Sequence, residues 1–192
     1  IMRQKVAAAS ISGELFNNWA GPVSVGTGVE YRTLNGEILS DPASQSVADQ
    51  AGIRGMPPAF AGRVGDWSTS NVLPMDGKYD VTEGFVEALV PLARDLPAAS
   101  ALDLNTAFRV TDYSQSGTVN TWKVGLSWNI TDNVLLRGTR SRDIRAPGIG
   151  DLYTRDSSGP DTIIDDVVNG TGRRPVAVIL SGNPDLKPEK AD

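Results

Sequence analysis

The sequence predicts an all-β protein, built as an antiparallel up-and-down meander of about six long strands. Six segments alternate polar and apolar residues with a period of two, the pattern of a strand whose two faces meet different surroundings. These segments run to roughly 10–13 residues, whereas strands of globular proteins most often have about 5–6. No segment has a convincing helical period, so we expect no helix to cover the sheet.

The first three segments differ in how clearly they alternate. Val6–Phe16 is weak, because alanine and glycine dilute its apolar side. Val23–Arg32 is the clearest, with Val, Thr and Tyr at every second position and polar residues or glycine between them. Val81–Leu92 is weaker again, since Phe85 and Leu89 share the side that two glutamates mark as polar. We predict a strand at each.

The last three segments follow one another closely. Leu102–Tyr113 and Thr118–Ile130 both alternate strictly, and the second carries Trp122 and Trp128 on its apolar side. Val134–Ala146 starts apolar and becomes strongly charged. Because the two tryptophans are six residues apart, they mark the two ends of an apolar band, as in the aromatic girdles of membrane barrels.

The connections are short at one edge of the predicted sheet and mostly long at the other. Short turns rich in Gly, Pro, Asn and Asp are expected at Asn17–Pro22, Arg94–Ser100 and Thr131–Asn133. The opposite edge has the tight turn Ser114–Gly117 and two long loops, at about 33–80 and 147–192. This asymmetry is typical of outer-membrane barrels, which have short turns on one side of the membrane and long loops on the other.

Composition excludes several kinds of function. The 192 residues include no histidine and no cysteine, so neither the commonest general base nor a thiolate metal site is present. We predict no enzyme, no catalytic residue, no cofactor and no metal site, and the composition itself removes imidazole and thiolate groups from consideration. The net charge of −5 argues against nucleic acid as a partner. No run of 18 apolar residues predicts a membrane-spanning helix.

Alternation alone leaves two readings open. A membrane barrel and a soluble antiparallel sheet packed on a core both place apolar residues on one face. The soluble reading predicts a binding module for glycan or protein partners. A barrel-type esterase or phospholipase is disfavoured, because no histidine is present to act as its base.

Two motifs resemble those of one membrane-protein family. Ser141–Pro147 (SRDIRAP) and Asn183–Lys190 (NPDLKPEK) are similar to paired motifs of the TonB-dependent outer-membrane receptors. Tyr113–Gly117 and Val81–Arg94 also resemble the barrel of that family. The resemblance implies that residues 1–192 are one partial barrel domain, a segment of a 22-stranded transmembrane β-barrel whose plug domain lies outside this chain.

The resemblance also implies a function for the parent protein. It predicts uptake of a scarce small-molecule ligand (a siderophore–iron complex, cobalamin or an oligosaccharide) across the outer membrane of a Gram-negative bacterium. The implied partners are the transported ligand, TonB acting through the plug region, and outer-membrane lipid. Receptors for haem in this family carry a histidine between two such motifs; the sequence has none, so haem is disfavoured.

The barrel reading assigns the charged residues of the strands to a water-filled interior. Alternation places on that face Glu14, Glu30, Arg32, Glu83, Glu87, Asp103, Arg109, Lys123, Arg137, Asp143 and Arg145. They can pair with one another, with the plug or with water of the interior, and the favoured interpretation makes them wall charges without a ligand role. Arg140 falls on the lipid side instead, where it can snorkel to the rim or meet a lipid phosphate, unless the strand changes register.

Six residues are candidates for ligand contact. Phe60 and Trp67 make the first long loop partly apolar, so that it can close over a ligand. Tyr153 and Arg155 lie in the second long loop. Arg142 and Arg145 precede Pro147 and have two interpretations, as contacts to ligand or plug, or as members of a structural ion-pair cluster. The second interpretation is favoured for this pair.

Overall fold

A computed structural model describes residues 1–47, 54, 62, 64–65, 71–155, 157–164 and 173–192. Seven strands form one antiparallel sheet in the order β1-β2-β3-β4-β5-β6-β9, and two more form a separate hairpin, β7-β8. The strands of the large sheet are β1 Met2–Asn18, β2 Gly21–Ile38, β3 Met75–Leu96, β4 Ala99–Tyr113, β5 Gly117–Thr131, β6 Val134–Arg145 and β9 Glu189–Ala191. The other elements are α1 Pro42–Gln45, α2 Ile149–Tyr153, β7 Ser157–Ile164 and β8 Arg173–Leu180.

The predicted all-β meander is confirmed, and its long loops need correction. All six predicted strands are present, and five extend past their predicted bounds. The first loop was expected to begin at residue 33 and end at residue 80, but β2 continues to Ile38 and β3 already begins at Met75. Backbone pairing needs only N–H and C=O groups, so it continues beyond the point where side chains stop alternating. The second loop contains α2, the β7-β8 hairpin and β9.

The predicted short connections are tight turns. Two-residue turns join β1 to β2, β3 to β4 and β5 to β6. In the second of these, Ala98 has a φ of 60°, in the left-handed region that L residues adopt at a cost. At the opposite edge β4 and β5 are joined by the three-residue turn Ser114–Ser116, followed by Gly117 with a φ of 83°. A glycine suits this position because it has no Cβ.

A bulge near the end of β3 is satisfied by side chains of the first turn. Pro91 faces Asp103 across the ladder and Ala93 faces Leu102, so Leu92 is the extra residue. Pro91 has no N–H to donate, and the carbonyls around the bulge need partners. The Asn18 side-chain amide donates to the carbonyl of Pro91, and the indole of Trp19 donates to that of Leu92, both at 2.8 Å.

The described residues fall into two compact units. The loop unit contains both helices, the β7-β8 hairpin and one end of strands β1 to β3; it comprises Ile1–Arg3, Asn35–Lys78 and Gly148–Pro184. The sheet unit comprises Gln4–Leu34, Tyr79–Pro147 and Asp185–Asp192. Within the described ranges, no helix has the length and apolar character needed to cross a membrane.

The loop unit is organised around α2. The N–H of Gly148 donates to the Asp151 carboxylate at 2.9 Å, which caps the start of the helix. Ile149 and Leu152 are both buried, so this short helix is held by packing. The helix has 5 residues, so it does not cover the sheet.

Candidate functional site

The sheet unit has two faces of opposite character. Cross-strand pairing aligns Glu87 with Ala107, Ala107 with Lys123, and Lys123 with Ser141. We call this side the ionic face. The residues next to these in sequence, Val86, Phe108 and Trp122, pair with one another in an adjacent row on the opposite side of the sheet. We call this side the apolar face. The predicted alternation is therefore confirmed by the register of the ladders.

The side chains of the apolar face are not covered by protein. Val86, Phe108, Val124 and Leu126 retain 45%, 44%, 45% and 40% of their accessible surface. Among the residues whose burial is described, eight with apolar side chains are buried: Ala20, Val23, Met75, Val81, Pro91, Val119, Ile149 and Leu152. A soluble sheet packed on its own core would bury this face, so the pattern indicates a partner outside the chain.

Charged residues of the ionic face pair with one another. Glu83 on β3 and Arg109 on β4 form an ion pair at 3.0 Å, and the guanidinium of Arg109 lies 5.2 Å from the ring centroid of Phe85. This explains why an aromatic residue interrupts the polar side of β3. Glu30 and Arg32 pair at 2.9 Å along β2. For these four residues, pairing within the wall is the alternative that the structure shows.

Three other charges of the ionic face lie around a recess. The recess has a volume of about 550 Å³, and its lining includes Glu14, Glu87, Asn105 and Lys123. In the described part of the chain, none of the three charged groups has an ion-pair partner. A Cβ at position 125 would lie 2.6 Å from Asn105 Oδ1, so Gly125 leaves the room that the amide occupies. The recess offers two carboxylates, an amide and an ammonium group to a polar partner.

The structure places Arg142 and Arg145 on opposite faces. Arg142 lies on the apolar face beside Trp122 and binds Asp192 in a bidentate pair, Nε to Oδ1 at 2.6 Å and Nη2 to Oδ2 at 2.9 Å. Arg145 is 3.6 Å from Glu189. Both arginines therefore form ion pairs, as the second interpretation expects, with partners on or next to strand β9. Contact of either arginine with ligand or plug stays a prediction. Sequence reasoning missed both partners, because the pairs span more than 40 residues.

Tyr153 has a packing role in the loop unit. Its ring covers Gly77, where a Cβ would lie 2.4 Å from Cδ2, and its hydroxyl donates to the carbonyl of Lys78 at 2.9 Å. Burial raises the pKa of the Tyr153 phenol above its ordinary value. Arg155 is exposed. Ligand contact by either residue stays a prediction.

The remaining predicted contacts, Phe60 and Trp67, lie outside the described residues. In the described parts of the chain, no three acidic side chains converge to hold a metal ion. Nothing in the recess resembles a nucleophile oriented by a base. Its groups are suited to hydrogen bonding and charge pairing.

A long antiparallel meander with one uncovered apolar face and one ionic face defines the class of membrane β-barrel walls. A family model described as TonB dependent receptor-like, beta-barrel matches residues 5–192. The chain belongs to this family, whose members are outer-membrane receptors and not enzymes. The resemblance seen in SRDIRAP and NPDLKPEK is thereby confirmed.

A solved structure has the same fold. The crystal structure of the siderophore receptor PirA from Acinetobacter baumannii matches with a TM-score of 0.59 and 17% sequence identity. The match covers 98% of this chain and 24% of that chain, so this chain spans about a quarter of that receptor. No curated protein sequence matches this chain. At this identity the likeness shows the fold alone.

Proposed function

We propose that the parent protein is an active transporter of the Gram-negative outer membrane, which takes up a scarce ligand with energy passed through TonB. Residues 1–192 form part of one barrel domain, and the whole barrel has 22 strands around a plug. The observation that carries this proposal is the uncovered apolar face of a sheet whose other face is charged. Family membership supports it further.

In this proposal the apolar face contacts lipid, and the ionic face lines a hydrated interior. Apolar side chains such as Phe108 and Leu126 then lose contact with water, which offsets the cost of their exposure in the isolated chain. The indole of Trp128 donates to the carbonyl of Ala98 at 2.8 Å, which places an aromatic ring at the short-turn edge. Trp122 lies toward the other edge, so the two rings serve as girdle residues.

Transport across the outer membrane requires no covalent chemistry, in agreement with the groups found on the ionic face. The recess around Lys123 is a surface for the plug or for a ligand passing it. Phe60, Trp67, Tyr153 and Arg155 are proposed ligand contacts at the outer side. The ligand belongs to one of three classes: siderophore–iron complexes, cobalamin or oligosaccharides.

The membrane part of the proposal is tested on the full-length parent. We expect the parent to sediment with outer membranes, to require detergent for extraction, and to migrate on gels differently before and after heating, as folded barrels do. A parent that stays in the aqueous fraction of lysed cells and is monodisperse in buffer would instead be a soluble binding module.

The transport part is tested by uptake into cells. A strain expressing the parent is supplied with a ferric siderophore, cobalamin or a maltooligosaccharide, each radiolabelled, with and without functional TonB. We expect one of the three to accumulate only when both proteins are present. Accumulation that is independent of TonB would contradict active transport while leaving the barrel assignment intact.

A further inference from the structure

Two arginines interrupt the apolar face on strand β6. Arg140 on β6 faces Val124 on β5, and Arg142 faces Trp122. Across β4 the same two rows continue with Thr106 and Phe108. The ladder between β5 and β6 has one register shift, between the pairs Asn129–Leu135 and Thr131–Val134. Pairing is regular from Leu135 to Arg142, so both arginines stay on the apolar face. Strand β6 therefore carries cations where its neighbours carry mainly apolar side chains.

A third cation joins them from the next strand. Lys190 on β9 pairs with Ile144, which follows Arg142 by two residues and lies on the same face. Asp192 is the single carboxylate in this group, and it is held by Arg142 at 2.6 Å. Three cations against one carboxylate leave two positive charges. Within the described part of the chain, Arg140 and Lys190 have no ion-pair partner.

The position of this cluster selects its partner. A lone arginine facing lipid is costly in the middle of a bilayer and nearly neutral at its interface. The row of Trp122 lies on the side of the turn Ser114–Ser116, the edge with the long connections and therefore the outer side of the membrane. Arg142 lies in this row and Lys190 beyond it, whereas Arg140 lies one row nearer the middle of the band. Long arginine and lysine side chains reach from such depths to the head-group layer. Arginine matches the geometry of phosphate oxygens, and Asp192 fixes the plane of one guanidinium.

We propose that Arg140, Arg142 and Lys190 bind the phosphate of a phosphorylated lipid in the outer leaflet. The proposal rests on the proposed function, because it needs the apolar face to contact lipid. It adds to that function a specific lipid site on the outside of the barrel, between β6 and β9. Phosphate fits the site because it supplies the two negative charges that the cluster lacks.

The test uses the full-length parent, purified in a neutral detergent and titrated with lipid while bound lipid is counted by native mass spectrometry. The probes are a diphosphorylated lipid A, phosphatidylcholine and inorganic phosphate. We expect selective retention of the diphosphorylated lipid, weakened by salt. Arg140→Gln and Lys190→Gln should each reduce its affinity about fivefold, and together about 30-fold. Arg137→Gln, on the ionic face of the same strand, is the matched control and should leave the affinity unchanged.

Three results would overturn the lipid site. One is equal retention of phosphatidylcholine, another is equally tight binding of inorganic phosphate, and the third is the same loss of affinity in the Arg137→Gln control. Membrane fractionation of the same variants separates this failure from failure of the proposed function. A parent that inserts in outer membranes but shows no lipid preference refutes only the site, whereas a parent found in the aqueous fraction refutes both.

Discussion

The most direct test of the two faces is to place a lysine on each and compare the costs. Leu126 lies on the apolar face between Trp122 and Trp128, and 40% of its surface is exposed, so protein does not cover it. Ser127 is its neighbour on the ionic face, opposite Asp103. If the apolar face contacts lipid, Leu126→Lys puts a charge near the middle of the bilayer, whereas Ser127→Lys puts one in water.

The free-energy cost of such a lysine depends on how deep in the bilayer it lies. A lysine facing lipid costs about 2–4 kcal/mol at the bilayer midplane and about 0–1 kcal/mol near the interfaces. Leu126→Lys should therefore lower the folding equilibrium of the parent about 30- to 900-fold. Asn120→Lys, on the same face but two residues beyond Trp122 toward the outer edge, should cost about 0–1 kcal/mol. Ser127→Lys should cost less than about 0.5 kcal/mol, as surface substitutions usually do.

Urea unfolding of the full-length parent in lipid vesicles measures these differences, and heat-modifiable mobility of outer-membrane fractions gives an independent check on assembly. A soluble sheet packed on a protein core would also suffer from Leu126→Lys, but its cost would not fall with distance along the strand in step with membrane depth. Equal costs at Leu126 and Asn120, or a larger cost at Ser127, would refute the assignment of the faces.

Three further predictions concern the turns and the loop unit. Tyr153→Phe removes the hydroxyl that donates to Lys78 and should cost about 0.5–1.5 kcal/mol of stability in this unit. Burial raises the pKa of the Tyr153 phenol in the folded protein above its value in the unfolded chain. The contribution of the phenol to folding stability should therefore be complete below about pH 10 and be lost as the pH rises through the pKa of the folded state. Ala98→Gly should stabilise by about 0.5–1 kcal/mol by relieving a φ of 60°. Gly182→Ala should cost about 1–3 kcal/mol, because its Cβ would lie 2.7 Å from the Thr154 backbone N.

Each of these has its own measurement. Hydrogen exchange of the loop unit reports Tyr153→Phe and Gly182→Ala, and unchanged protection would contradict the packing described for α2. The pKa is tested by following the ultraviolet absorbance of ionised tyrosine as pH rises, in the parent and in Tyr153→Phe. A variant that lacks none of the absorbance change seen at high pH would contradict the raised pKa. For Ala98→Gly the matched control is Ala99→Gly, in extended β4, which should destabilise by about 0.5–1 kcal/mol. Similar effects at both positions would exclude the turn explanation.

The strands could be predicted from the sequence because polar and apolar residues alternate wherever the two faces of a strand meet different environments. Where that difference exists, as in Thr118–Ile130, the predicted strand agrees with the observed one within a residue at each end. The ends of β2 and β3 could not be predicted, since both of their faces carry mixed residues there. The β7-β8 hairpin was missed for a related reason, because Gly159 and Pro160 stand inside its first strand and read as a loop.

The ion pairs of the site could be identified only from the pairing register of the strands. Glu83 and Arg109 are 26 residues apart, and Arg142 and Asp192 are 50 apart, so nothing local in the sequence links them. Alternation does give the face of each residue, and for this reason the residues lining the recess were predicted as wall residues without a role. Strand β9 begins within the motif Asn183–Lys190, at Glu189.

In the proposed transporter, pairing within the wall also limits where selectivity for a ligand can arise. Most ionic contacts of the ionic face join adjacent strands or residues two apart, as in Glu83–Arg109 and Glu30–Arg32, so these charges are largely neutralised by the wall itself. A passing ligand gains little from a charge that already has a partner. Among the described charges of this face that have no ion-pair partner, Glu14, Glu87 and Lys123 lie around the recess. Substitutions there should change uptake kinetics, whereas substitutions in the paired wall should mainly change barrel stability.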